Sequence, residues 1–291
     1  MPAWEGRSKG PAWGFRFFVT VLKIGGVMPA YVVLRFVTLY YVLFSHKSTK
    51  SVLHFLHKLG YGKGASLLKL VQNYYLFGQT LIDKVVMMSG IKNKFTFNFD
   101  GEEHLLKMVQ LGKGGLLLSA HIGNWEIAGH LLKRLGAPIN VVMYDGEQQQ
   151  IKEYLDSVTG KRNMNVIVIK NDTSHIFKIN AALQNNEFVC MHADRFVAGN
   201  KTITGNFLGQ YAKFPLGPFI LAARFKVPVS FVFAMKESST HYHFFATDIQ
   251  DYSAVPKDVV TGQILDDFIK AMETKVKQYP EQWYNYYDFW Q

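Results

Sequence analysis

Cysteine is almost absent. The 291 residues contain one, Cys190, so no intramolecular disulfide framework can form. That fits a cytosolic face. Cys190 follows Phe188-Val189 in an apolar run that reads as a buried strand, so inert packing is the plain reading of this thiol. Acidic residues are scarce too: 22 Asp and Glu stand against 32 Lys and Arg, a formal net charge of +10. Such a balance suits anionic lipid, acidic substrates or nucleic acid. The chain lacks zinc-ligand spacing, an RNP-type motif and any dense Lys/Arg run, which argues against nucleic acid. It also lacks a Gly-rich nucleotide fingerprint, an internal repeat and a low-complexity linker. No metal constellation is visible, because His46, His54, His57, His104, His130, His175, His192, His241 and His243 lack ligand spacing.

What is present is apolar. Hydrophobic residues make up 48% and aromatics 15%, enough for a large core with apolar surface to spare. Residues 1–14 are polar and Gly/Pro-rich, with Trp4 and Trp13, a residue type suited to a membrane interface. Phe15 to Phe44 is strongly apolar but carries Arg16, Lys23 and Arg35. A spanning helix needs ~20 predominantly apolar residues, and an Arg at mid-bilayer costs ~3 kcal/mol on insertion scales. The stretch therefore reads as one N-terminal membrane helix, tilted, interfacial or signal-anchor-like; the alternative is a buried helical hairpin. Its late start, its length and the lack of a clear cleavage site argue against a cleaved signal peptide. The natural division is a membrane-associated segment over 1–46 and a catalytic domain over 47–291.

Beyond it, His46 to Leu59 and Ala65 to Met88 have helical periodicity, separated by Gly60-Tyr-Gly62-Lys-Gly64. Strand signals at Phe95–Phe99, Leu116–Ala120, Ile139–Met143, Asn165–Lys170 and Glu187–His192 alternate with helical segments at 102–111, 148–159 and 174–184. Thr202–Leu208, Val229–Ala234 and His241–Ile249 read as further strands. An apolar helix follows Phe214-Pro215-Leu216-Gly217-Pro218, and an amphipathic one spans Thr261–Tyr279. This alternation implies an α/β fold, a layered domain with a mixed central sheet flanked by helices.

The stretch from Leu116 to Leu132 organises the rest. A buried strand is cut by polar residues and resumes as a helical pattern at Trp125, Ile127, Ala128, Leu131 and Leu132. His121 falls at the handover, and Glu126 lies about one turn into the helix. On one ideal helix five residues rotate ~500°, so the two side chains meet only if His121 sits in the turn, which Gly123 makes easy. A neutral imidazole takes a proton near physiological pH, and a carboxylate on its other nitrogen fixes the tautomer and stabilises the imidazolium. Such a pair needs no protein nucleophile when the acceptor brings its own hydroxyl or amine. The plain alternative is a helix-capping His121 and a solvated first-turn Glu126. His130, four residues past Glu126, competes for that carboxylate.

His121-Ile-Gly-Asn-Trp-Glu126 resembles the His-x4-Asp/Glu block of glycerolipid acyltransferases, and most closely the form found in bacterial lipid A late acyltransferases. The resemblance extends, in order, to Asn73–Asp83, to Asp194-Arg195, to Phe207-Leu208-Gly209, to Gly217-Pro218, to Val227-Pro228-Val229 and to Pro280-Glu-Gln-Trp283. It departs at Asp145, where many lipid A enzymes carry an arginine after a tyrosine, so no role of that arginine transfers.

The resemblance implies a membrane-bound acyltransferase. It would move a fatty acyl chain from an acyl-acyl carrier protein or acyl-CoA thioester to a hydroxyl or amine of a lipid such as a lipid A precursor. The site would lie at the inner membrane, with the catalytic domain on the cytosolic face. His121 and Glu126 are the expected catalytic pair. Asn124, Asp194 and Arg195 are the expected substrate-binding residues, Asn124 or local backbone N–H groups for an oxyanion and Arg195 for a phosphate. Asp194 can orient either Arg195 or His121. The thioester supplies the driving force, so neither cofactor nor metal is expected. Two rivals share these features: a lipid or thioester hydrolase using the same dyad with water, and a non-catalytic membrane adaptor indifferent to the dyad.

Overall fold

The computed structural model describes residues 12–88, 91–125, 127, 135–144, 165–169 and 172–290. Glu126, His130, Asp145, the terminal Trp4 and the helix expected at 148–159 lie outside them.

Four helices lead the chain: α1 (Ala12–Gly25), α2 (Val27–Phe44), α3 (His46–Lys58) and α4 (Lys63–Met88). The apolar helix expected over Phe15–Phe44 corresponds to α2; α1 is separate. Gly26 breaks them apart with φ 75°, a backbone that favours glycine. Helix α2 is uncharged apart from Arg35 and is, by length and composition, long and apolar enough to cross a membrane. It buries one stripe (Ala30, Tyr31, Leu34, Thr38) against α4. There the Cβ-less Gly78 lets Leu34 approach closely. The other face leaves Met28, Val32, Phe36, Leu39, Tyr40, Leu43 and Phe44 exposed.

The domain proper is a seven-stranded sheet. Its strands are β1 (Thr96–Asp100), β2 (Gly115–Ser119), β3 (Ile139–Tyr144), β4 (Asn165–Ile169), β5 (Phe188–His192), β8 (Val229–Lys236) and β9 (His241–Ala246), in the order β1-β9-β8-β2-β5-β3-β4. All neighbours pair in parallel except β8 and β9, so the expected mixed sheet is present. Helices α5 (Glu102–Gln110), α6 (Ser174–Gln184), α7 (Leu216–Phe225) and α8 (Val260–Gln278) accompany it. Parallel strands covered on both faces read as continuous apolar runs, and all five residues of β2 are buried. Leu116 and Leu118 face a core shared with Phe219, Phe268 and Trp283, whereas Leu117 faces Leu105, Met108 and Phe188.

One strand is absent from the sequence reading. Gln210–Pro215 (β7) pairs antiparallel with β6 (Thr202–Phe207) in a hairpin outside the main sheet. Its two-residue turn has φ 53° at Leu208 and 78° at Gly209. Primed hairpin turns require positive φ, and Leu is an unusual residue for it, which is why the turn is hard to read. The Leu208 N–H donates to Glu273 Oε1 at 2.7 Å, anchoring the turn to α8.

Candidate active site

The site follows from sheet register. In the parallel pair β2/β5, Ser119 stands opposite His192 at the carboxyl ends of the strands. One step on, the Ala193 N–H donates to the Ser119 carbonyl at 2.8 Å. Two residues beyond each paired position come His121 and Asp194. Because side chains alternate along extended chain, both stay on the face of Leu117 and Cys190 and meet. The His121 Nδ1–H donates to Asp194 Oδ1 at 2.7 Å, and the His121 backbone N–H donates to Asp194 Oδ2 at 3.0 Å. Sites of open α/β sheets lie at this carboxyl edge.

The segment carrying His121 is strapped on both sides. Asn124 N–H donates to the Ala234 carbonyl of β8 at 2.7 Å, Gly123 N–H to Gln282 O at 2.8 Å, and Tyr284 N–H to His121 O at 2.9 Å. Gly123 has φ 67°, and a Cβ there would lie 2.0 Å from the Ala234 oxygen, so the turn tolerates only glycine. Gln282 fixes the strap by pairing both ends of its amide with the Lys236 backbone, at 2.9 and 2.8 Å. Asn73 of α4 donates to the carbonyls of Glu281 and Trp283 at 3.0 Å each. Trp283, 1% exposed, plugs the core beneath with its indole Nε1 3.5 Å from Asp194 Oδ2.

Asp194 is wholly buried, while the side chain of His121 keeps 24% of its surface. Burial alone would raise the Asp194 carboxyl; the charge and hydrogen bond of His121, with Arg195 beside it, overcome that and hold it well below the usual carboxylate range. His121 is shifted below its ordinary 6.5, by burial first and Arg195 second, against the opposing pull of Asp194. An ionised acceptor on Nδ1 and a neutral ring fix the Nδ1–H tautomer and leave the Nε2 lone pair as the basic atom. Such an arrangement has the chemistry an oriented general base requires.

The remaining expected residues fall in different places. Arg195 directs Nη2 at the Tyr284 carbonyl, so part of the guanidinium holds the C-terminal strap. Its Nε is buried without a partner among the described residues. Asn124, expected at the substrate, is 4% exposed and donates to Thr80 O and Tyr242 Oη, both at 3.3 Å. The backbone N–H groups of His121, Gly123 and Asn124 are likewise engaged, so the expected oxyanion role has no free donor on these atoms. Glu126 lies outside the described residues.

One neighbour was not legible as a site residue. His192 stacks on His121 with ring centroids 4.2 Å apart at 26°, and Trp125 meets it edge-on at 4.6 Å and 85°. Only its place at the end of β5, two residues before Asp194, hints at this. His121, His192 and Asp194 bring their ligand atoms within 4.8 Å of one another. Stacked imidazoles, however, direct their in-plane lone pairs along nearly parallel planes rather than at one point. Asp194 and His121 are moreover already bonded, so the set suits a proton better than a metal. Cys190, pushed up to about 12 by burial, is an inert thiol.

Among the described residues no serine or cysteine is bonded to the imidazole of this pair, an arrangement compatible with transfer to a substrate hydroxyl or amine. The family model for bacterial lipid A biosynthesis acyltransferases matches residues 69–290, and the chain belongs to that family. It is an acyltransferase. Among solved structures, the 1-acyl-sn-glycerophosphate (LPA) acyltransferase PlsC from Thermotoga maritima aligns over 85% of this chain and 97% of its own, at 10% identity and a TM-score of 0.39. That likeness is too slight to argue from. No curated protein matches the sequence.

Proposed function

We propose that the protein transfers a fatty acyl chain from an acyl carrier protein or CoA thioester directly to a hydroxyl or amine of a membrane lipid, such as a lipid A precursor. The observation that carries this reading is the 2.7 Å bond from His121 Nδ1 to the buried Asp194, which leaves Nε2 basic on a partly exposed ring. Nε2 removes the acceptor proton as the acceptor oxygen or nitrogen forms its bond to the thioester carbonyl carbon. Collapse of the tetrahedral adduct breaks the carbon–sulfur bond, and the thiol leaves with a proton returned through His121. Asp194 holds the tautomer and stabilises the imidazolium. Arg195 supplies positive potential for a phosphate of donor or acceptor.

The family resemblance assigns the orienting acid to Glu126, whereas the hydrogen bond supports Asp194. Single Glu126→Gln and Asp194→Asn variants separate them: the orienting acid is the one whose loss lowers kcat by ~100-fold or more. The exposed apolar face of α2, flanked by Lys23, Arg35, Lys47 and Lys50, supports docking on an anionic leaflet with the site at the cytosolic face of the inner membrane.

The test is mass spectrometry of lipids from cells lacking the protein, complemented by wild type or by His121→Ala. One lipid should gain a single acyl mass with wild type alone. Equal restoration by both would refute the base and favour an adaptor. Release of free fatty acid with no acylated lipid would favour a hydrolase.

A further inference from the structure

We infer that His192 is a positioning residue for the base: it sets the plane of the His121 ring by stacking, while Asp194 sets the ring's rotation. The inference rests on the reading of His121 as the base. A hydrogen bond to Nδ1 fixes one atom of an imidazole and leaves the ring free to tilt about that bond. A flat partner against its face removes the tilt.

Sequence and register put that partner in place. His192 ends β5 opposite Ser119, one side-chain repeat before Asp194 on the same sheet face, so its ring comes to lie against that of His121. Trp125 meets the same His192 ring edge-on. Stacked and edge-to-face arrangements are favourable for aromatic rings. His192 lines a pocket together with the buried strand residues Leu117 and Val141.

Among the described residues the two buried ring nitrogens of His192 have no hydrogen-bond partner, and its contact with His121 is made through the ring face. Burial first, then the neighbouring His121, keeps His192 well below the ordinary imidazole value, so it presents a neutral face. A cavity of about 30 Å³ adjoins it, bordered by Ser119, Trp125, Cys190 and Ala234. A phenyl group presents the flat face that the stack needs, whereas a methyl group does not.

The experiment uses the full chain in detergent micelles, with His192→Ala, His192→Phe and His121→Ala compared with wild type. Steady-state transfer is followed as thiol release from lauroyl-CoA and from lauroyl-acyl carrier protein, with a lipid A precursor as acceptor. In parallel, proton–nitrogen spectra of the ¹⁵N-histidine-labelled chain report the His121 tautomer, its signals being identified by their loss in His121→Ala. His192→Ala is expected to lower kcat about tenfold with little change in KM, in line with the cost of small misplacements of catalytic groups. The pure Nδ1–H pattern of His121 should become averaged. His192→Phe should restore both to near wild type.

If His192→Ala leaves the His121 pattern and kcat unchanged, the inference is overturned. If His192→Phe is as impaired as His192→Ala while its thermal midpoint is normal, the nitrogens matter and stacking is not the role. Should His121→Ala retain full transfer, the reading of the base fails instead. The spectra still decide whether His192 orders that ring, even where neither thioester is turned over.

Discussion

Two buried clusters of charge lie a few residues apart, one complete and one left open. In the first, Asp83 of α4 accepts from Lys236 Nζ at 2.6 Å and from the hydroxyls of Tyr31 and Tyr242. Lys236 also donates to Ser239 O at 3.1 Å, and its side chain and that of Asp83 are 1% and 0% exposed. Burial pushes the Asp83 carboxyl up and the Lys236 ammonium down, and the attraction between the two opposes both shifts. In the second, Asp194 is equally buried, but its partner His121 keeps an exposed edge and a basic nitrogen, and His192 and Arg195 have nitrogens without a partner among the described residues. The closed cluster ties α2, α4, β8 and β9 together; the open one can do chemistry. Saturation of donors and acceptors, rather than buried charge, separates structure from site here.

Breaking the closed cluster should give the largest loss of stability. Asp83→Leu strands a buried ammonium, for which a cost of about 3–5 kcal/mol is expected. Asp83→Leu with Lys236→Met removes both charges and should recover much of that in thermal or denaturant melts. A double variant no more stable than the single would show that Tyr31 and Tyr242, not the ion pair, hold the region. Asp194→Asn at the open cluster should do the opposite: kcat falls about 100-fold or more while the thermal midpoint moves little, because the amide still accepts from the His121 backbone. A collapse in stability without a specific loss of kcat would place Asp194 with Asp83 as a fold residue.

The two clusters communicate through Asn124, whose amide reaches Tyr242 in one while its backbone turn carries His121 in the other. Gly123→Ala probes that joint. Positive φ and a Cβ 2.0 Å from the Ala234 oxygen imply strain of order 1–3 kcal/mol. A lower melting point with reduced kcat is expected; unchanged kcat would show that the turn can move without displacing His121.

Most of the open cluster was legible in sequence because its members sit at places with a stated geometry. His121 ends an apolar run, and Asp194 follows another such run, so two parallel strands bring them together. What could not be read was the order of the strands. The insertion of β5 between β2 and β3 makes Asp194, and not a residue from β3, the neighbour of His121 on that side. The same gap hid His192. The structural engagement of Asn124 was not legible either, since its amide donates to Thr80 and Tyr242, which are remote in sequence. The closed cluster was not legible at all: Tyr31, Asp83, Lys236 and Tyr242 are spread from α2 to β9 and have no spacing in common. Pro280-Glu-Gln-Trp283, read only as a corroborating block, turns out to open the strap: Gln282 accepts from Gly123, and Tyr284, just past the block, donates to His121.

The smallest expected effect distinguishes the clusters by acid. Only the open one contains histidine. His121 and His192 are held below the ordinary 6.5, so below that pH the unfolded chain binds protons that the folded chain refuses. Stability should therefore fall as pH drops from 7 towards 5, and this slope should be shallower in His192→Phe, which removes one refused proton. Asp194, depressed in the fold, adds stability that is present above its ordinary 3.8 and lost only at lower pH, outside this window. Activity should hold to lower pH than an unperturbed imidazole allows, since the base works only when neutral. In Asp194→Asn the residual rate should have its acid limb shifted lower still, because the carboxylate is the influence that raises His121. An acid limb that moves upward in that variant would mean that another carboxylate, such as Glu126, governs the base.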